Sequence, residues 1–388
     1  MIEKFLPTQP DPLLNLIRLF KEDNRHYKID LGVGVYKDSA GKTPVMRCVK
    51  LAEQLIYEEQ TTKAYMGADG NKAYIESLSH LVFGGGRHQK IVGLQTVGGT
   101  GALRLAAELI CLVHPNAPVL LGEPSWLNHA PILKGAGLTP EPHSYIIESG
   151  HSINFEAICD AIRTAPKGTV ILLQVCCHNP TGLDFSVEQW RVLGILLRKG
   201  NILPLLDLAY QGLGHGWIED IEGLNALLDE VEEFLLAYSC DKNFGLYRER
   251  VGALFIGGQN SSQLQNALSN SLSLARSSYS MPPDHGAEVV RTILTNSQLL
   301  MVWETELEEM RARIQTVRAN LASALPESYA FLRNQVGMFS CLPLTPGQIH
   351  ALRERFAVYV APNGRINIAG LRDEEIPLFV HALASVEY

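Results

Sequence analysis

Ser239-Cys240-Asp241-Lys242-Asn243-Phe244-Gly245-Leu246-Tyr247-Arg248-Glu249-Arg250-Val251-Gly252 follows directly on an unbroken apolar run, residues 234–238. A run without polar alternation predicts a strand buried on both faces, as in a parallel sheet. Lys242 then emerges at the strand's C-terminal end, the edge at which open α/β sheets bind ligands. Among apolar neighbours, desolvation lowers an amine's pKa and makes it a carbonyl-seeking nucleophile. A lysine after a strand is equally explained by a solvated surface position, so the reading depends on what else reaches that edge.

Three further segments do. Residues 170–173 are apolar and lead through Cys176-Cys177 to His178-Asn179-Pro180-Thr181-Gly182. Residues 202–206 lead to Asp207-Leu208-Ala209-Tyr210, and Arg250 opens another apolar run, 251–256. With helices fitted between them, these segments repeat the strand-helix-strand unit of an α/β fold. Asn179, Asp207, Tyr210 and Lys242 then converge on one edge. An amide, a carboxylate, a phenol and a lysine are what an aldehyde cofactor with a ring nitrogen and a phenolic oxygen requires.

The stretches Cys177-His178-Asn179-Pro180-Thr181-Gly182, Asp207-Leu208-Ala209-Tyr210-Gln211-Gly212 and 242–252 resemble the signature of the aspartate and aromatic aminotransferases, pyridoxal-phosphate enzymes of fold type I. The resemblance runs from about Asp11 to about Ala384. It implies an α/β fold in which a large cofactor domain, residues 45–305, carries a mostly parallel central sheet. A small α/β domain would come from both chain ends: the N-terminal arm region 1–44, and 306–388 with its linking helix. The cofactor implied is pyridoxal 5'-phosphate, and the assembly a homodimer.

Gln95-Thr96-Val97-Gly98-Gly99-Thr100-Gly101 precedes a helix-forming run. Glycines and a hydroxyl residue at a helix start leave backbone N–H groups free, and the helix dipole adds partial positive charge, which suits a phosphate. By resemblance Gly99, Thr100, Gly101, Ser239 and Arg250 form the phosphate cup, completed by Tyr65 from the neighbouring chain. Trp126 stacks on the pyridine ring. His129 backs Asp207, which keeps the ring nitrogen protonated, and His178 extends that network. Gln174 stands where many relatives have histidine, so the wiring behind the aspartate is expected to differ. Asn179 and Tyr210 serve the phenolic oxygen. Lys242 holds the cofactor as a Schiff base at rest and shuttles the proton, so Lys242, Asp207 and Tyr210 are the catalytic set.

On the substrate side the resemblance assigns Arg365 to the α-carboxylate, a bidentate task suited to guanidinium. Arg276 reaches from the other subunit to a distal carboxylate. Val33 and Gly34, on the glycine-rich loop 31–36, touch substrate together with Trp126, Asn179 and Phe339. Val35, Lys37, Thr43 and Thr100 are aspartate-like, whereas Ala64 and Met281 replace asparagines of the aspartate enzymes and imply a roomier, less polar pocket. The expected reaction is ping-pong amino transfer between an aspartate-type or aromatic L-amino acid and a 2-oxo acid such as 2-oxoglutarate. A β-lyase or racemase on the same fold, and a catalytically silent regulator, are the alternatives; paired Arg365 and Arg276 favour transfer, and Lys242 disfavours silence.

Bulk properties agree. The 388 residues, 46% of them hydrophobic, can bury a large core, and a net charge of −8 disfavours a nucleic-acid or membrane partner. Seven cysteines show no metal-ligand spacing, so no metal is expected and reduced thiols suit a cytoplasmic setting. Glu3, Pro7 and Pro10 interrupt any signal-peptide core. From about Leu299, apolar residues at spacings of three and four predict a long amphipathic helix running from Trp303 to Leu321.

Overall fold

The computed structural model describes residues 2–6, 12–84, 90–147 and 150–386; Pro7, Pro10 and Asp11 of the expected arm lie outside them. In chain order the strands are β1 (Ile29–Asp30), β2 (Lys90–Val97), β3 (Pro118–Glu123), β4 (Thr139–Ser144), β5 (Val170–Gln174), β6 (Leu203–Leu208), β7 (Phe234–Ser239), β8 (Val251–Gly258), β9 (Phe339–Cys341), β10 (Val358–Tyr359) and β11 (Arg365–Asn367). Seven of them form one sheet in the order β2-β8-β7-β6-β5-β3-β4. β3 through β7 pair in parallel, while β8 is antiparallel to both β7 and β2. The sheet is thus mostly parallel, as expected.

The antiparallel β8 has a simple cause. Residues 240–250 are too few for the crossover a parallel return needs, so the chain turns back on itself. Arg250, at the start of β8, therefore returns to the sheet edge at which β7 delivers Lys242.

Side chains alternate across the strands and feed two cores. Leu235, Ala237, Leu254 and Ile256 pack with Leu103 and Ala106 of the helix Gly98–Val113 on one face. Phe234, Leu236, Tyr238 and Phe255 join the larger cluster on the other. That cluster includes Trp303, Leu307, Ile314, Val317 and Leu321 of the helix Ser297–Ala324, so the amphipathic pattern read from sequence marks its buried stripe.

Outside the main sheet, β1 pairs in parallel with β10, and β9 is antiparallel to β11. Strands from the two ends of the chain are thereby joined, and β11 places Arg365 beside the glycine-rich loop. The helix Pro12–Glu22 packs Leu16 with Ala357 and Tyr359 in a separate small cluster. No described helix is long and apolar enough to cross a membrane.

Candidate active site

At the C-terminal edge of the parallel strands lies a cavity of about 210 Å³. Its wall includes Lys242, Asp207, Asn179, Tyr210, Trp126 and Arg365, drawn from five segments of the chain, with Asp207 and Tyr210 sharing one. Lys242 sits just past β7 with its amine 5.1 Å from the centre of the Tyr210 ring. Burial lowers its pKa from the usual 10.5, with the carboxylates of Asp241 and Asp207 opposing the shift. The amine is thereby biased toward the free base a nucleophile needs.

The loop carrying the lysine is locked from behind. Asn243 Nδ2 donates to the Tyr238 hydroxyl at 2.8 Å, and that hydroxyl donates to Gln211 Oε1 at 2.8 Å. Trp303 Nε1 donates to the Asn243 carbonyl at 2.8 Å, while its ring stacks on Phe244 with centroids 4.9 Å apart. The long helix thus fixes the nucleophile through buried hydrogen bonds without touching the cavity.

Asp207 ends β6 and is buried, its Oδ2 3.0 Å from His129 Nε2; His129 Nδ1 lies 2.7 Å from Ser125 Oγ. This matches the expected support of the aspartate. His178 does not extend that chain. Its Nδ1 meets Thr181 Oγ1 at 2.8 Å, its ring stacks on Tyr145 at 3.8 Å, and burial pulls its pKa down to about 3, leaving it neutral. The adjacent Gln174 shows how the wiring differs: its amide accepts from Asn179 N and donates to Asn179 O, both at 2.9 Å. Gln174 therefore clamps the backbone of Asn179 instead of serving the aspartate.

Asn179 in turn donates to the Tyr210 hydroxyl at 3.0 Å and accepts from Arg365 Nη1 at 3.4 Å. Burial raises the Tyr210 pKa, with Arg365 opposing. Arg365 is only 5% exposed. Its Nη2 donates to the Gly32 carbonyl at 2.5 Å, and its Cζ lies 4.5 Å from the Phe339 ring centre. Among the described residues its Nε has no hydrogen-bond partner and no carboxylate pairs with it. A buried guanidinium without a counter-ion is costly unless an anion arrives.

At the other end of the cavity is an anion cradle. The helix Gly98–Val113 begins at the glycines themselves rather than after them, and Gly98 takes φ +66. A Cβ there would collide with the Arg250 guanidinium, and one on Gly99 would come within 2.9 Å of Ser239 Cβ. The small residues keep the cradle open between free helix N–H groups, a hydroxyl and a guanidinium, which fits a phosphate.

Gly99, Thr100, Ser239, Gly34 and Phe339 line this cavity, as does Arg250. Gly101 and Val33 do not; the Val33 carbonyl accepts from Asn367 Nδ2 at 2.7 Å. Tyr65 is 94% exposed, and Arg276, also exposed, donates to Ser280 Oγ. Neither they nor Ala64 and Met281 reach the cavity of their own chain.

Residues 26–383 match the family model described as aminotransferase class I and II. The chain belongs to that family. Its aminotransferase relatives include a tyrosine aminotransferase of Rhizobium meliloti, 46% identical with 94% of this chain and 95% of the relative covered. An aspartate aminotransferase of Salmonella typhi is 42% identical over the whole of both chains. Among solved structures, the aromatic-amino-acid aminotransferase of Burkholderia pseudomallei, covalently bound to pyridoxal phosphate, superposes with TM-score 0.96 at 33% identity, covering 100% of this chain and 99% of that one. Fold type I is thereby established, and amino-group transfer is the function of this aminotransferase; the lyase, racemase and silent-regulator alternatives are not favoured.

Sequence reasoning missed Leu13, Leu103, Ala209 and Asp241 as cavity residues. The apolar three carried no signal separating them from core. Asp241 adjoins the lysine, and its acidity in an anion site was the available signal.

Proposed function

We propose that this aminotransferase carries pyridoxal 5'-phosphate in the described cavity and exchanges amino groups between an L-amino acid, aromatic or aspartate-type, and a 2-oxo acid such as 2-oxoglutarate. The observation that supports this most strongly is the placement of Lys242, a buried amine of lowered pKa, between a phosphate-shaped cradle and the unpaired Arg365. When bound, the cofactor supplies an aldehyde and an electron-withdrawing ring that stabilises negative charge on the substrate Cα.

The protein's own groups do the rest. Gly99, Thr100, Ser239 and Arg250 would hold the phosphate. Trp126 packs on the ring face, Asp207 with His129 behind it holds a proton on the ring nitrogen, and Asn179 and Tyr210 hydrogen-bond the phenolic oxygen. Arg365 binds the α-carboxylate and so orients the Cα–H bond toward Lys242. The Lys242 amine would take the proton from the substrate Cα as general base and, once protonated, would serve as the general acid that completes a 1,3-transfer. Phe339 and Gly34 cover the substrate and exclude water.

The same reading makes the enzyme a homodimer in which Tyr65 and Arg276 complete the neighbouring site; their exposure and distance from their own cavity support it. The small domain of 1–44 and 306–388 against a large domain of 45–305 belongs to this reading, supported by the pairing of β1 with β10 outside the main sheet. A cytoplasmic location fits the reduced cysteines. Single-turnover half-reactions with aspartate, tyrosine, phenylalanine and methionine, followed by absorbance, test the specificity. Comparable or faster aromatic rates are expected if Ala64 and Met281 open the pocket. Aspartate faster by orders of magnitude overturns that specificity, and no conversion with any donor overturns the cofactor reading.

A further inference from the structure

The cradle's cation is already answered from within. Arg250 Nη1 lies 2.6 Å from Asp241 Oδ2 and also donates to the Tyr247 carbonyl at 3.0 Å. Asp241 is 5% exposed, lines the cavity and stands next to Lys242 in the chain. Its Oδ1 makes no hydrogen bond among the described residues. A buried carboxylate oxygen without a donor is a costly arrangement in a site built to hold an anion.

Charge counting shows the consequence. A bound phosphate ester brings nearly two negative charges. The cradle offers one guanidinium and about half a positive charge from the helix N-terminus. Asp241 cancels most of the guanidinium's contribution, so an incoming phosphate meets a nearly neutral cradle and a neighbouring carboxylate. In a low-dielectric cavity two anions sharing one guanidinium repel each other strongly.

We propose that Asp241 is a built-in competitor for the cofactor's phosphate: its carboxylate holds Arg250 at the cradle and weakens capture of a phosphate there. The chain accordingly holds its phosphorylated cofactor less tightly, and releases it more readily, than the cradle's shape alone would allow. This rests on pyridoxal 5'-phosphate being the cofactor. It concerns this chain's grip on the phosphate; Asp241 also opposes the lowering of the Lys242 pKa, and binding of unphosphorylated pyridoxal reads that separate effect. Asp241→Asn preserves shape and an acceptor for Arg250 while deleting the competing charge.

The test compares the full-length protein freed of cofactor with Asp241→Asn and Asp241→Ser, titrating each with pyridoxal 5'-phosphate and with unphosphorylated pyridoxal, read by tryptophan fluorescence and absorbance. Circular dichroism verifies folding of both variants. Both variants are expected to bind the phosphate form at least about tenfold more tightly, with pyridoxal affinity changed less than about twofold. Inorganic phosphate, titrated alone into the cofactor-free proteins, should likewise bind the variants at lower concentration than the parent. Equal or weaker binding of the phosphate form by folded variants overturns the inference and makes Asp241 an orienting partner of Arg250. Failure of the parent and both variants to bind either compound would instead sink the cofactor reading, and this inference with it.

Discussion

Two arginines stand at opposite ends of one cavity and are treated in opposite ways. Arg250, at the cradle, is paired with Asp241 at 2.6 Å, and its own side chain is more than a third exposed. Arg365, at the substrate end, is buried without a carboxylate and has a nitrogen left unpartnered among the described residues. The difference separates two tasks. A cofactor held through many contacts tolerates a compensated cation, because helix N–H groups and a hydroxyl share the anion. A substrate carboxylate that must bind, orient and leave at each turnover meets a single cation whose charge nothing else uses.

Lys242 lies between the two, and removing it tests the arrangement most severely. Lys242→Ala is expected to reduce turnover by about 10⁴-fold or more, since nucleophile and proton carrier are lost together. Cofactor affinity should fall far less, which equilibrium dialysis measures. Retention of more than a few per cent of parental turnover would remove the lysine from the centre of the comparison.

Arg365→Ala addresses the substrate end. Loss of a buried, bidentate charge partner costs about 3–5 kcal/mol, so kcat/KM should drop about 10²- to 10⁴-fold for every amino donor alike. Arg365→Lys should recover only part of it, because an ammonium cannot make the planar double contact. Steady-state kinetics with two donors checks both variants; a loss confined to dicarboxylic donors would assign Arg365 to the distal carboxylate instead.

A smaller effect is expected from Gln174. Gln174→Leu leaves the Asn179 backbone without its two 2.9 Å partners in a buried position. The loosened Asn179 then serves both Tyr210 and Arg365 less well. A reduction of kcat/KM by about tenfold is expected, with a visible shift in the pH titration of the bound cofactor's absorbance. An unchanged titration would make the clamp purely structural.

The smallest effect is a pH displacement. Because burial lowers the Lys242 pKa from 10.5, its acylation by an amine-selective reagent should rise with pH at a midpoint below that of an ordinary lysine. Asp241 is the first of the charges opposing that shift, so Asp241→Asn should move the midpoint further down. Mass-spectrometric labelling of Lys242 across pH reads both, and a midpoint at or above the ordinary value would show the amine to be solvated.

Much of this site was legible in the chain. The apolar runs ending in Asn179, Asp207 and Lys242 gave β5, β6 and β7, because a strand buried on both faces leaves an unbroken apolar signature and its end fixes which residue reaches the edge. The buried stripe of the helix Ser297–Ala324 was equally plain from its spacing. His178 was not: its sequence position beside Asn179 suggested the aspartate's network, yet the backbone turns its ring onto Tyr145, a residue more than thirty positions away. Gln174 and Asp241 were hidden for a related reason. Their partners lie only five and nine residues along the chain, but which nearby group each side chain meets is set by the turn between them, which residue type alone does not record.

By itself, then, the sequence determined the strands, the order in which they present an amide, a carboxylate and an amine, and the family to which those motifs belong. Hydrophobic periodicity and short motifs are properties of neighbouring residues, so they survive in one dimension. Only the tertiary structure decided that β8 returns antiparallel and brings Arg250 to Asp241, and that β11 buries Arg365 without a carboxylate. Which charge is answered and which is left open depends on through-space distances, across a nine-residue turn for Arg250 and across more than a hundred residues for Arg365, and Coulomb energies are set by those distances.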